Sequence, residues 1–248
     1  HSQYSSNIRR EMITGVFDMD SVSSPIGEYM LFMEILLFEV GKDGCAEIEI
    51  FIKSTKRKID DNLYLFFQGF AGIFNCVEVS NSEELAIQVD GKKQILNLSE
   101  KESWSYINKE YGIRKYAPTL KCKSKHVEAA KSILNQFSNQ GPSIAVHLKN
   151  GIRSSGKADW YNANVSEWLK FFRIAESRFK CHFFLIGNEA LPPEMNELSN
   201  VTITKEVDSN LITDLAIIEI SQAYIGSTSG PAQMAYFGSS PYFSYKNP

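Results

Sequence analysis

The sequence predicts an α/β protein of two doubly wound domains, the first smaller or less regular than the second. Three observations carry this expectation. Runs of strand periodicity alternate with runs of helical periodicity along most of the chain. A lysine-rich stretch containing Pro118, Tyr116 to Lys125, separates a weakly patterned half from a strongly patterned one. The 248 residues suffice for two domains of about 100–150 residues each. An N-terminal domain over 1–118 and a C-terminal domain over 119–248 are therefore expected.

Met12 to Phe17 reads as a strand, followed by a polar loop from Asp18 to Ser24. Ser24-Pro25 then opens a helix, with a hydroxyl at the cap and proline in the first turn. Ile26, Met30, Met33 and Leu37 follow helical spacing, while Leu31, Phe32 and Leu36 make its other faces apolar. A helix apolar nearly all round is a buried one. Gly41 and Gly44 should end it, and Cys45 to Lys53 alternates as a strand. Over residues 54–115, Leu63–Phe67, Ile73–Val79 and Ile95–Leu98 read as strands and Glu102–Tyr111 as a helix.

The second half is clearer. His126 to Phe137 is a helix, broken by Asn139-Gln-Gly-Pro142, and Ser143 to Leu148 is a strand. Asn164 and Glu167 resemble a capping box, with Val165, Trp168, Leu169, Phe172 and Phe179 on the core face of the helix they open. His182–Ile186 and Val201–Thr204 are strands, Asn210–Ile220 a helix and Tyr224-Ile225 a strand. The chain then runs Tyr224-Ile-Gly-Ser-Thr-Ser-Gly-Pro-Ala-Gln-Met-Ala-Tyr-Phe-Gly238: strand, small-residue turn, short helix, with a further strand after Pro241.

Composition excludes some classes of function. A net charge of −3 offers no broad electrostatic case for nucleic acid. Cys45, Cys76, Cys122 and Cys181 form no CxxC, so neither a zinc ribbon nor a thioredoxin-like site is expected. The longest apolar run, Tyr29 to Val40, is interrupted by Glu34 and Glu39 and is too short to span a bilayer. No signal peptide is visible, and His1-Ser2 reads as an expression remnant. A cytoplasmic protein is expected, at most peripherally associated with the inner face of a membrane.

Open parallel sheets bind ligands at the carboxyl ends of their strands. Three polar loops stand there in the second half. The loop Lys149 to Asp159 carries Lys149, Arg153 and Lys157, cations suited to phosphate oxygens, although a plain surface loop reads as well. Gly187-Asn188-Glu189 places a carboxylate where a ribose diol could donate to it, or where it is simply solvated. The turn Ser227, Thr228, Ser229, Gly230 offers hydroxyls and backbone N–H groups to a diphosphate, or serves tight helix–sheet packing.

Two signals are discounted. Asp18-Met-Asp20 has the DxD form that holds a metal-bound diphosphate in one class of sugar-transferring enzymes, but it follows the first strand, too early for that class. No metal site is therefore expected. Ser229 lacks the glycine two residues earlier that a nucleophile elbow needs, Ser227 standing there, and no histidine is evidently paired with it. Of the four histidines only His147, at a strand end, could reach the cleft, and it is expected to be a packed residue.

The second half resembles the nucleotide-sugar half of a GT-B glycosyltransferase, most nearly the ADP-heptose:lipopolysaccharide heptosyltransferase family. The resemblance covers 143–243: Ile144-Ala-Val-His-Leu148, the basic loop, the Trp168 helix, Phe183-Phe-Leu-Ile-Gly187-Asn-Glu189, Ser221-Gln-Ala-Tyr-Ile-Gly226 and Ser229-Gly-Pro-Ala-Gln-Met-Ala235. His147-x-Lys149 also resembles, more distantly, the His-x-Arg of fucosyltransferase-like GT-B proteins. Ser24-Pro-Ile-Gly27-Glu28 lies where the family has Gly-Asp at the start of its first helix, so the resemblance makes Glu28 the general base. Thr228 replaces the family's aspartate, and Gln233 its frequent histidine.

The resemblance implies two Rossmann-like domains and transfer of a sugar from a nucleoside diphosphate sugar to a glycan or glycolipid acceptor hydroxyl, with no cofactor. Lys149, Arg153, Lys157, Ser227, Thr228, Ser229 and Gly230 would hold the diphosphate, and Gly187 and Glu189 the nucleoside. A non-catalytic sugar-nucleotide-binding protein and a nucleotide-sugar epimerase of the same fold are the alternatives.

Overall fold

The computed structural model describes residues 12–21, 25–43, 47–54, 61–79, 82–88, 92–137, 141–150 and 162–245. The chain forms two compact units, one comprising His1–Ser24 and Leu31–Pro118, the other Pro25–Met30 and Thr119–Pro248.

The first unit begins with β1 (Met12–Asp18), a short 3-10 turn (Met19–Ser21) and α1 (Pro25–Asp43), whose opening turn counts with the second unit. β2 (Glu47–Lys53), α2 (Asp61–Gln68), β3 (Ile73–Val79), α3 (Ser82–Gln88), β4 (Gln94–Leu96) and α4 (Glu100–Arg114) follow. The sheet order is β3-β2-β1-β4, with every pairing parallel. From Tyr29 to Phe38 only Leu37 of α1 is not buried, as its all-round apolar sequence requires. Phe17, Phe32 and Phe67 meet edge-on or tilted at 5.2 and 5.4 Å, and burial of each such ring stabilises the unit by about 2–3 kcal/mol.

Two expectations in this half are corrected. Leu63–Phe67 is helical: Leu63, Phe66, Phe67 and, just beyond α2, Phe70 are buried at helical spacing, whereas Leu65 is exposed. A short continuous apolar run does not itself distinguish a buried strand from a helix. α4 is longer than Glu102–Tyr111 because Ser99 caps it. The Ser99 hydroxyl accepts from Glu102 N–H, and the Glu102 carboxylate accepts from Ser99 N–H at 3.1 Å.

The second unit carries α5 (Ser124–Asn135), β5 (Ser143–His147), α6 (Val165–Arg178), β6 (His182–Ile186), β7 (Val201–Ile203), α7 (Leu211–Ile220), β8 (Ala223–Ser227), α8 (Ala232–Tyr236) and β9 (Tyr242–Tyr245). Its sheet runs β7-β6-β5-β8-β9, again wholly parallel. Numbered within the unit this is the order 3-2-1-4-5. The direction of winding reverses between β5 and β8, which is the topological switch point where such sheets take their ligands.

Asn164 caps α6, its side chain accepting from Glu167 N–H, and Asn210 caps α7 by accepting from Thr213 N–H at 3.0 Å. Phe172 and Ala175 turn α6 onto a core shared with Val146, Phe183 and Leu185. Phe179 is not on that face. It is the C-cap, with extended backbone, and its ring is exposed because the helical period stops at Arg178. Residues Ile212 to Ile218 of α7 are buried throughout.

Candidate functional site

β5 is buried at its carboxyl end, and its last residue, His147, is only 4% exposed. His147 pairs in register with Ile186 on one side and Gly226 on the other, so its ring stands at the switch point. Its Nδ1 lies 3.0 Å from the Ser229 hydroxyl and its Nε2 3.0 Å from a carboxylate oxygen of Glu189. A serine after β8, a histidine ending β5 and a glutamate after β6 thus form one hydrogen-bonded chain. The histidine is packed, as expected, but it is also paired with Ser229, which corrects the expectation that no histidine would be.

The loop after β6 is built to deliver Glu189. Gly187 has φ +100°, a conformation that L side chains rarely adopt. A Cβ there would also meet the Glu189 carboxylate and would come within 3.1 Å of the His147 ring. Gly187 N–H donates to Asp214 at 2.9 Å, and the Ser209 hydroxyl donates to the other Asp214 oxygen at 2.6 Å. The Lys205 ammonium donates to the Glu189 carbonyl at 2.6 Å.

The charges respond to this enclosure. Burial, the largest influence, pushes the Glu189 carboxyl up. The hydrogen bond and charge of His147, with backbone N–H groups of Glu189 and Asn188, outweigh it and hold the group below its ordinary value. Burial holds Asp214 above its ordinary value, against the hydrogen bonds from Ser209, Gly187 N–H and Thr204.

The turn after β8 divides its residues differently from expectation. Ser227 is 1% exposed and faces inward, its hydroxyl without a partner among the described residues. Thr228 is exposed, whereas Ser229 is half-buried with its hydroxyl against His147. Gly230 packs against the first turn of α1: a Cβ would lie 2.6 Å from Ile26 Cγ2 and 3.2 Å from Gly27 N. The absent side chain of Gly230 therefore serves close packing. Gln233 is buried beside Gly27, and its amide oxygen has no partner among the described residues. Glu28 follows on the same helical turn and is half-buried.

Lys149 is half-buried two residues beyond His147. Arg153 and Lys157 lie outside the described residues. Asp18 of the discounted DxD pairs with Lys53 at 3.3 Å, and its N–H donates to Asn97 at 2.8 Å. Among the described residues no group of three His, Cys, Asp or Glu side chains is placed to hold a metal ion. Among them, too, no helix is long and apolar enough to cross a membrane.

This architecture is shared with solved glycosyltransferases. It is similar to a glycosyl transferase family 9 protein from Veillonella parvula, with TM-score 0.62 and 12% identity over 95% of this chain and 80% of that one. It is also similar to the E. coli heptosyltransferase WaaC solved with ADP, with TM-score 0.54 and 8% identity over 94% of this chain and 86% of that one. The GT-B-like fold is thereby shown, at identities that speak for fold alone. No family profile and no curated protein sequence matches the chain.

Proposed function

We propose that the protein is a glycosyltransferase that moves a sugar from a nucleoside diphosphate sugar to an acceptor hydroxyl without a metal ion. The observation that carries the proposal is the Ser229–His147–Glu189 chain at the switch point of the second sheet. A polar chain at that position, on a fold shared with glycosyltransferases, supports a nucleotide-donor site there.

In this reading the hydroxyls of Thr228 and Ser229 receive the diphosphate, and Lys149, Arg153 and Lys157 neutralise it. Gly187 and Glu189 border the nucleoside. One Glu189 oxygen is held by His147 and the other has no partner among the described residues. A ribose hydroxyl is a donor of the kind that second oxygen lacks. Glu28 acts as general base: it takes the acceptor proton as the acceptor oxygen bonds to the anomeric carbon and the bond to the diphosphate oxygen breaks. The leaving diphosphate keeps the electron pair beside the cations. A glycan or glycolipid acceptor, and work at the inner face of a membrane, belong to the same proposal.

Thermal unfolding with ADP, UDP and GDP tests donor binding. A ligand at about 100 times its Kd stabilises by about 2.7 kcal/mol, which raises Tm by several degrees in a chain of this size. No shift with any of the three at high concentration removes the donor site. Glu28→Gln then tests the base: turnover of a transferred sugar falls by about 100-fold or more while nucleotide affinity is retained. Unchanged turnover removes Glu28 from the mechanism.

A further inference from the structure

We infer that His147 sets the hydrogen-bonding polarity of Ser229, and that a diphosphate seated on Ser229 is bound together with one proton taken up by His147. The inference rests on the donor-site reading above and assigns a positioning role to a residue that touches no substrate.

Glu189, His147 and Ser229 share few protons among them. Ionised Glu189 offers only acceptors, so the His147 Nε2 beside it must carry a hydrogen and donate. A neutral imidazole has one ring hydrogen, which leaves Nδ1 bare. The partner of Nδ1 is the Ser229 hydroxyl at 3.0 Å, which must then donate to it. The only hydroxyl hydrogen of Ser229 is therefore directed at His147, and its oxygen, with the Tyr224 phenol beside it, is left to accept. An anion arriving there meets an acceptor. When His147 is protonated, Nδ1 also donates, Ser229 Oγ accepts from it, and the hydroxyl hydrogen turns outward toward a phosphate oxygen. No bond other than that of the transferred proton changes.

The surroundings favour the proton once the anion is present. Glu189 faces His147 from the loop after β6, and Asp214 from α7. The Tyr224 phenol on β8 lies beside Ser229 and is pushed up by burial, so it stays neutral. Lys149 lies two residues along the chain, and Lys205 is engaged with the Glu189 carbonyl. Gly187 leaves the ring the space it needs against Glu189.

The test is calorimetry of ADP, UDP and GDP binding to the full chain, in pairs of non-phosphate buffers that differ in ionisation enthalpy. The contrast is read at about pH 5 and about pH 8. The expected result at pH 8 is uptake of about one proton per nucleotide, with affinity falling up to about tenfold per pH unit on approach. His147→Asn, which stays neutral and still offers an amide donor to Ser229, binds without that uptake and with a flat pH profile. Titration of the ligand's own phosphate is common to both proteins and cancels in the difference. Ser229→Ala, a milder change, loses the uptake as well and keeps the test decisive should the histidine variant fold poorly. Nucleotide binding without proton uptake in the unaltered protein, or equal uptake in the variants, overturns this inference and leaves the donor site standing. No nucleotide binding at any pH overturns both.

Discussion

The two sheets share an order but end differently. In each, the first strand lies between the second and the fourth, so each has a switch point at its carboxyl ends. In the first unit that place is closed by its own side chains. The Asn97 side-chain oxygen accepts from Asp18 N–H, its amide donates to Ser21 at 3.0 Å, and Lys53 pairs with Asp18. In the second unit His147, Ser229 and Glu189 are linked, while Ser227, Glu189 and Gln233 each keep a buried polar atom without a partner among the described residues. Topology supplies the crevice in both units. A crevice reads as a site when its polar groups are held in place but not all satisfied by one another.

The comparison is broken most severely by Gly187→Ala. The left-handed backbone and the Cβ contact with Glu189 and His147 together cost about 3 kcal/mol or more, and nucleotide affinity falls at least about tenfold. Denaturant unfolding and nucleotide titration check this. A variant with unchanged stability and binding would show that the loop's geometry is incidental.

Glu34 sharpens it next. It is fully buried on α1 in the first unit, both carboxylate oxygens lack partners among the described residues, and burial pushes its pKa up to about 8. An unsatisfied group sealed from solvent is a burden on stability rather than a site. The folded protein holds a proton that the unfolded chain releases above about pH 4.5, so stability declines as pH rises from there through about 8. Glu34→Met removes that slope and raises stability by about 2 kcal/mol at pH 8, and by much less at pH 5. Tm measured across this range is the check; loss of activity with gain of stability would instead give Glu34 a working role.

The smallest effect is expected at the closed end. Asn97→Ala lowers stability by about 1 kcal/mol and leaves nucleotide binding unchanged. A change in binding would overturn the reading of that end as closed.

The elements were legible wherever local patterning and capping agreed. Ser24-Pro25 announces α1, Asn164 and Asn210 announce α6 and α7, and β6 is read to its ends at His182 and Ile186. Leu63–Phe67 failed because five apolar residues in a row carry no period, and only packing on Phe17 and Phe32 selected the helix. Phe179 failed because the period was extended one residue past the end of the helix. Among the candidate site residues, the polar loops were visible as compositions, but their internal division was not. Ser227 turns inward and Thr228 outward, and Gly230 meets Ile26, none of which is encoded in the run of small residues itself.

The sequence by itself determined the α/β class, the parallel winding of the second half and the strand ends at which polar loops gather. Periodicity, caps and turn residues are local signals, and those features are local in origin. Only the tertiary structure decided that His147 joins Ser229 to Glu189, residues 82 and 42 positions away along the chain. That join depends on β5 lying between β6 and β8 and on a left-handed glycine turning Glu189 back toward Nε2 of the ring. Register between distant strands is fixed by the packing of whole sheets, which no short stretch of residues carries.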